Sequence, residues 1–184
     1  MKPKRTKGFT LLELMITVAI VGVLLTTVVP NARGLLIRNR IVAEVNYTSS
    51  LMQFARHTAI DEQAVTIMCP STDFSNCTAD WTQPKIVFVD ANNNGTRNDD
   101  EELLVGSEQS HDTHAITGPN APIRFSGNGT VASPATILFC HNGREAEFAR
   151  ALILSLQGRV KLSADSNNDG IYEDNNGMPL SCAG

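Results

Sequence analysis

Two stretches carry oxygen ligands at the spacing of a calcium loop. Asp90, Asn92, Asn94 and Gly95 are followed by Glu101 at the twelfth loop position. In that order carboxylate and amide oxygens can converge on one divalent ion. Asp165, Asn167, Asp169 and Gly170 begin a second copy, with Asn176 where the bidentate glutamate would stand. Neither stretch is flanked by predicted helices, and Asn, Asp and Gly also build β-turns. Calcium loop and turn are both open readings.

A second group is cationic. Gln157-Gly158 reads as a hairpin turn between strands at 151–156 and 159–162. Residues two apart in a strand share a face, so Arg159 and Lys161 point one way, about 6.6 Å apart, within reach of adjacent phosphates. Arg144 and Arg150 are candidates for the same patch. The competing reading is a solvated strand face. Four cysteines, Cys69, Cys77, Cys140 and Cys182, allow three connectivities. The favoured one pairs Cys69 with Cys77, closing a short loop, and Cys140 with Cys182, tying the tail to a strand. A zinc site with His141 is the rival, but no C-x-x-C pair supports it. The four histidines are scattered, and no G-x-S-x-G, H-E-x-x-H or P-loop occurs. No catalytic residue is assigned, and the chain reads as a non-enzyme.

The elements around these residues begin with an unusual N-terminus. Four of the 15 basic residues lie in the first seven positions, so the remainder carries 11 against 19 acidic residues, a net −8. Such a body is no general polyanion binder. Residues 9–29 form an apolar run with one charge, Glu13, long enough as a helix to span a bilayer. The basic cluster before it predicts a cytoplasmic start and a head outside the cytoplasm. A secretory signal would carry its small residue after a shorter apolar core; here Gly8 comes first. A carboxylate at the position of Glu13 is costly near lipid and so reads as functional.

The string Lys7-Gly8-Phe9-Thr10-Leu11-Leu12-Glu13-Leu14 resembles the class III prepilin signal of type IV pilins and type II secretion pseudopilins. The resemblance implies cleavage by prepilin peptidase between Gly8 and Phe9, N-methylation of Phe9, and pairing of the new amine with Glu13 of a neighbouring subunit during filament assembly. The expected organisation is a leader at 1–8, a transmembrane and filament-core helix at 9–29 and a periplasmic head at 30–184.

Pro30 predicts a kink. Beyond it, Ile37, Ile41, Val45, Thr48, Met52, Ala55 and Ala59 recur at three- and four-residue spacing, predicting an amphipathic helix over 31–60 with Arg33, Arg38, Arg40 and Glu44 elsewhere around it. Short strands follow at 65–69, 85–89, 103–105, 123–125, 137–140, 151–156 and 159–162. The predicted fold is α+β: a long helix packed on an antiparallel β-sheet head. Phe54-Ala55-Arg56, Val65-Thr66-Ile67-Met68-Cys69, Ile86-Val87-Phe88-Val89-Asp90 and Gly158-Arg159-Val160 are similar to the FimT/GspH group of minor pilins and pseudopilins. That resemblance implies a minor pilin of a type IV pilus, priming the filament or at its tip, or a pseudopilin acting in protein export. The partners it implies are other minor and major pilins, the peptidase and the inner-membrane assembly machinery. FimT proteins of naturally competent bacteria carry a C-terminal G-R-x-R motif implicated in DNA binding, and Lys161 stands here for the second arginine. DNA is therefore an expected partner, and calcium the one cofactor the loops suggest.

Overall fold

The computed structural model describes residues 8–143 and 145–182, with the backbone alone at 27–31. The first helix, α1, spans Leu11–Glu62. Thr10 opens it: its Oγ1 accepts the Glu13 N–H at 3.2 Å, the Ser/Thr-x-x-Glu cap that satisfies an orphan donor of the first turn. Gln63 closes it at a left-handed φ of 50°, its side-chain amide donating to Ile60 O at 2.6 Å. The two halves of the expected long helix, on either side of Pro30, are one element. A proline forfeits only its own N–H bond, and helical backbone continues on both sides.

The chain divides into two compact units, one ending at Arg38 and the other beginning at Asn39. In the first, Phe9 is exposed, at 83%, and so are the apolar side chains of α1 from Leu11 through Leu14, Ile16 and Val21 to Leu25. Among the described residues no helix is long and apolar enough to cross a membrane. Leu11 to Thr26 rises about 24 Å at 1.5 Å per residue, and the last residues of the expected span lie outside the described side chains.

In the second unit Ile41, Val45, Thr48, Met52, Ala55 and Ala59 are buried along one face of α1, the stripe that the spacing predicts. Two four-stranded antiparallel sheets complete the unit, where the sequence suggested one. The first contains β1 (Thr66–Pro70), β2 (Lys85–Val89), β3 (Leu103–Gly106) and β5 (Ile123–Phe125) in the order β3-β2-β1-β5. The second contains β4 (His114–Thr117), β6 (Ala135–His141), β7 (Arg150–Leu154) and β8 (Val160–Leu162) in the order β4-β6-β7-β8. β4 was not expected. A 3₁₀ turn at Ala146–Phe148 precedes β7.

β1 and β7 are buried at every position, so at these central strands both faces are covered. Ile67, Cys69, Ile86 and Phe88 form a cluster with Val65, Cys77 and Leu103 packed on it. In the second sheet Cys140, Ala149, Ala151, Ile153 and Leu180 cluster beneath Leu138, Tyr172 and Cys182. Disulfides join Cys69 to Cys77 and Cys140 to Cys182. Each ties a loop or tail over the outer face of a central strand.

Candidate functional site

The N-terminal residues are simple in their surroundings. Gly8, Phe9 and Glu13 are exposed. A Cβ added at Gly8 would meet nothing within 4 Å, so the fold makes no demand for glycine there. Glu13 also lies in the first turn of α1, where a carboxylate opposes the helix dipole.

The loop after β2 brings Asp90, Asn92, Asn94 and Glu101 together, and their oxygens are already engaged. Asp90 is fully buried. Its Oδ1 accepts the Asn94 N–H and its Oδ2 the Gly95 N–H, both at 3.0 Å. Arg124 Nη2 donates to the same Oδ2 at 2.7 Å. Glu101 Oε1 accepts the Ala91 N–H at 2.9 Å and Oε2 the Asn98 N–H at 3.0 Å. Asn92 and Asn94 turn their amide oxygens back to loop N–H groups. A guanidinium thus stands against the Asp90 carboxylate, and the loop's oxygens satisfy its own N–H groups as a turn would.

The second loop repeats the bonding. Asp165 accepts the Asp169 and Gly170 N–H groups, and Asn167 and Asp169 repeat the roles of Asn92 and Asn94. Glu173, not Asn176, closes it by accepting the Ser166 N–H at 2.8 Å. The matching donors, Ala91 and Ser166, each follow the first loop aspartate. The two loops share one construction.

The cationic group is divided by the structure. Arg159 and Lys161 are exposed, and Lys161 Nζ donates to Asn175 Oδ1 at 3.3 Å. The turn before them is a three-residue loop rather than Gln157-Gly158 alone: Ser155 N–H bonds Arg159 O, and Gly158 sits at φ 71°. Arg150 is not part of a surface patch. It is 6% exposed, donates to the carbonyls of Glu147 and Ala149, and stacks 3.4 Å from the ring centroid of Tyr172. Its donors and its planar face are committed to the 3₁₀ turn and the C-terminal segment, which removes it from the predicted DNA set. Arg144 lies outside the described residues.

Sequence reasoning missed a buried polar cluster. Lys85, at the start of β2, is 1% exposed, and its Nζ donates to Glu44 Oε1 at 3.0 Å and to Ser110 Oγ. Ser110 Oγ donates in turn to Glu44 Oε1 at 2.7 Å. His114 Nδ1 stands 4.0 Å from Glu44 Oε2, buried and without a hydrogen-bond partner among the described residues. The histidines are less scattered than their sequence positions suggest: His114 pairs with His141 in the β4–β6 register, and the His111 ring centroid is 5.6 Å from that of His114. Burial alone would raise the Glu44 carboxyl, but the Ser110 hydroxyl and the Lys85 ammonium hold it below the usual glutamate value. Burial also pushes Lys85 and His114 below their ordinary values, with Glu44 opposing in both cases. The local signal was the spacing of Glu44, three residues after Ile41 and four before Thr48, which places it beside the buried stripe.

Comparison with known proteins agrees with this architecture. The family model described as type II transport protein GspH matches residues 44–158, and that of the prokaryotic N-terminal methylation motif matches residues 3–29. Among solved structures, the type IV minor pilin FimU of Pseudomonas aeruginosa is similar over 79% of this chain and 97% of its own, at 18% identity and a TM-score of 0.56. The minor pseudopilin EpsH of the Vibrio cholerae type 2 secretion system is similar over 70% of this chain and 99% of its own, at 11% identity and a TM-score of 0.53. At these identities the likeness is one of fold. The match over more than half the chain, the methylation motif and the helix-on-sheets head together place this protein in the GspH family of minor pilins and pseudopilins.

Proposed function

We propose that this chain is a minor subunit of a type IV pilus, made as a membrane-anchored prepilin, processed at Gly8–Phe9 and assembled with other pilins. The observation that carries the reading is the first part of α1. Leu11, Leu14, Ile16, Val18, Ile20 and Val21 are all at least half exposed, and a helix apolar all round needs lipid or other helices around it. Glu13 is the one charge on that surface and is available to a neighbour's amine. The open space around Gly8 supports a demand made by a processing enzyme and not by the fold.

The test is the mature N-terminus. Mass spectrometry of membrane-extracted protein should find N-methyl-Phe9, and Gly8→Val should leave the leader in place. A different N-terminus, or normal processing of Gly8→Val, would sink the reading. The alternative is a pseudopilin of a type II secretion system, favoured by the EpsH fold likeness as much as the first reading is by FimU. Deleting the gene separates them: loss of surface pili supports the first, and retention of exported enzymes in the periplasm supports the second. Of the four cations expected for DNA binding, Arg150 is buried, Arg159 and Lys161 are exposed, and Arg144 lies outside the described residues.

A further inference from the structure

β8 ends the order of its sheet, and the phase of its ladder determines which backbone groups face outward. Ser155 N–H bonds Arg159 O at 3.0 Å and Ser163 N–H bonds Ala151 O at 2.9 Å. With Ile153 opposite Lys161, the pairs 155/159, 153/161 and 151/163 are the hydrogen-bonded ones. Val160 and Leu162, opposite Leu154 and Leu152, are the alternate pairs, whose N–H and C=O groups point away from β7. These groups recur every second residue, about 6.6–6.8 Å apart, the repeat an incoming antiparallel strand requires.

The side chains on this edge have a pattern. Leu162, 45% exposed, and half-buried Val160 lie on one face. Arg159 and Lys161 lie on the other, and among the described residues neither has a carboxylate within ion-pair distance. Past Ser163 the edge is already taken, Ala164 accepting the Glu173 N–H at 2.9 Å, so its open part is Val160 and Leu162; an open edge is a hazard that basic side chains restrain. Two copies pairing through β8 would set these cations against one another, and like charges directly opposite are destabilising.

We propose that β8 is a strand-docking edge whose occupant is an extended segment of a different protein subunit, in which acidic and apolar residues alternate. In the docked register its apolar residues fall opposite Val160 and Leu162, and its carboxylates fall opposite Lys161 and beside Arg159. Backbone bonds to Val160 and Leu162 supply strength, and the two cations set register and exclude basic strands. The inference goes beyond membership of a filament and holds for either assembly.

The test uses the full chain in detergent, titrated with a synthetic peptide of alternating Glu and Val, with its Lys/Val counterpart and with short single- and double-stranded DNA. The Glu/Val peptide should bind and slow amide exchange at Val160 and Leu162 by about tenfold or more, leaving Lys161, already bonded to β7, unchanged. Val160→Pro removes only an outward N–H and should weaken binding by about tenfold or more at unchanged melting temperature. Lys161→Glu should exchange preference for the Glu/Val peptide for preference for the Lys/Val one, which keeps the idea testable if Val160→Pro fails to fold. Absence of Glu/Val binding, binding without protection at Val160 and Leu162, or DNA binding that the peptide cannot displace would each overturn it.

Discussion

Glu44 holds three partners on one carboxylate, two of them through the same oxygen, and the energetics of the head concentrate there. Removing one member of a buried pair leaves a charge in a poor solvent, so Lys85→Met should destabilise by about 3–5 kcal/mol, toward the lower end because Glu44 keeps 17% exposure. The double variant Glu44→Leu/Lys85→Met should recover most of that loss in denaturant titrations, since no unpaired charge remains. The same cluster gives a pH dependence. His114 titrates below 6.5 and Glu44 below 4.5 in the folded chain, so the unfolded chain binds more protons in each window. The contribution of His114 should be full above pH 6.5 and be lost as the pH drops through its folded value, and that of Glu44 should be lost in turn below 4.5. Replacing His114 with Asn should remove the first decline, and a pH series of unfolding midpoints would reveal it. Only the place of Glu44 beside the apolar stripe was legible in the sequence, because the cluster joins residues 44, 85, 110 and 114 across three segments. Arg150 misled for a related reason: a cation in a strand reads as exposed until the segment that stacks on it, 22 residues later, is in place.

At the scale of elements, the turn before β8 is the most constrained. Gly158 has a left-handed φ of 71°, and an added Cβ would lie 2.0 Å from Gly129 O, the carbonyl that accepts the Arg56 Nε–H at 2.9 Å. Gly158→Ala should therefore cost about 1–2 kcal/mol for the backbone and about 1 kcal/mol more for the displaced hydrogen bond. A lowered midpoint in denaturant, with loss of α1 protection near Arg56, would report it. Strands β1, β2, β3, β5, β6, β7 and β8 fall within a few residues of their predicted positions because β-branched and aromatic residues cluster between turn formers. β4 escaped notice because His114-Ala115-Ile116-Thr117 offers one large apolar residue, and it becomes a strand by pairing with β6 across 20 or so intervening residues. The long helix was legible too: the apolar run and the three- and four-residue spacing on either side of Pro30 join as one α1.

Across the whole molecule, each sheet has one face toward the buried stripe of α1 or its surroundings and another covered by a tethered segment. The two tethers differ in loop size, with a sequence separation of 8 from Cys69 to Cys77 and 42 from Cys140 to Cys182. Closing the longer loop restrains the unfolded chain more, so replacing Cys140 and Cys182 together should cost about 2–5 kcal/mol, and replacing Cys69 and Cys77 less. Thermal melts of the two variants under oxidising conditions would rank them; an inverted order would show that the short bridge carries more than loop entropy. The helix seat also has a mechanical meaning. Its buried stripe runs from Ile41 to Ala59, with a polar bond near each end, Glu44 to Lys85 and Arg56 to Gly129. A pull along the helix loads both bonds in shear at once, whereas a pull that peels the helix away loads them one after the other. A head built this way resists tension along its helix best and yields soonest to a sideways tug.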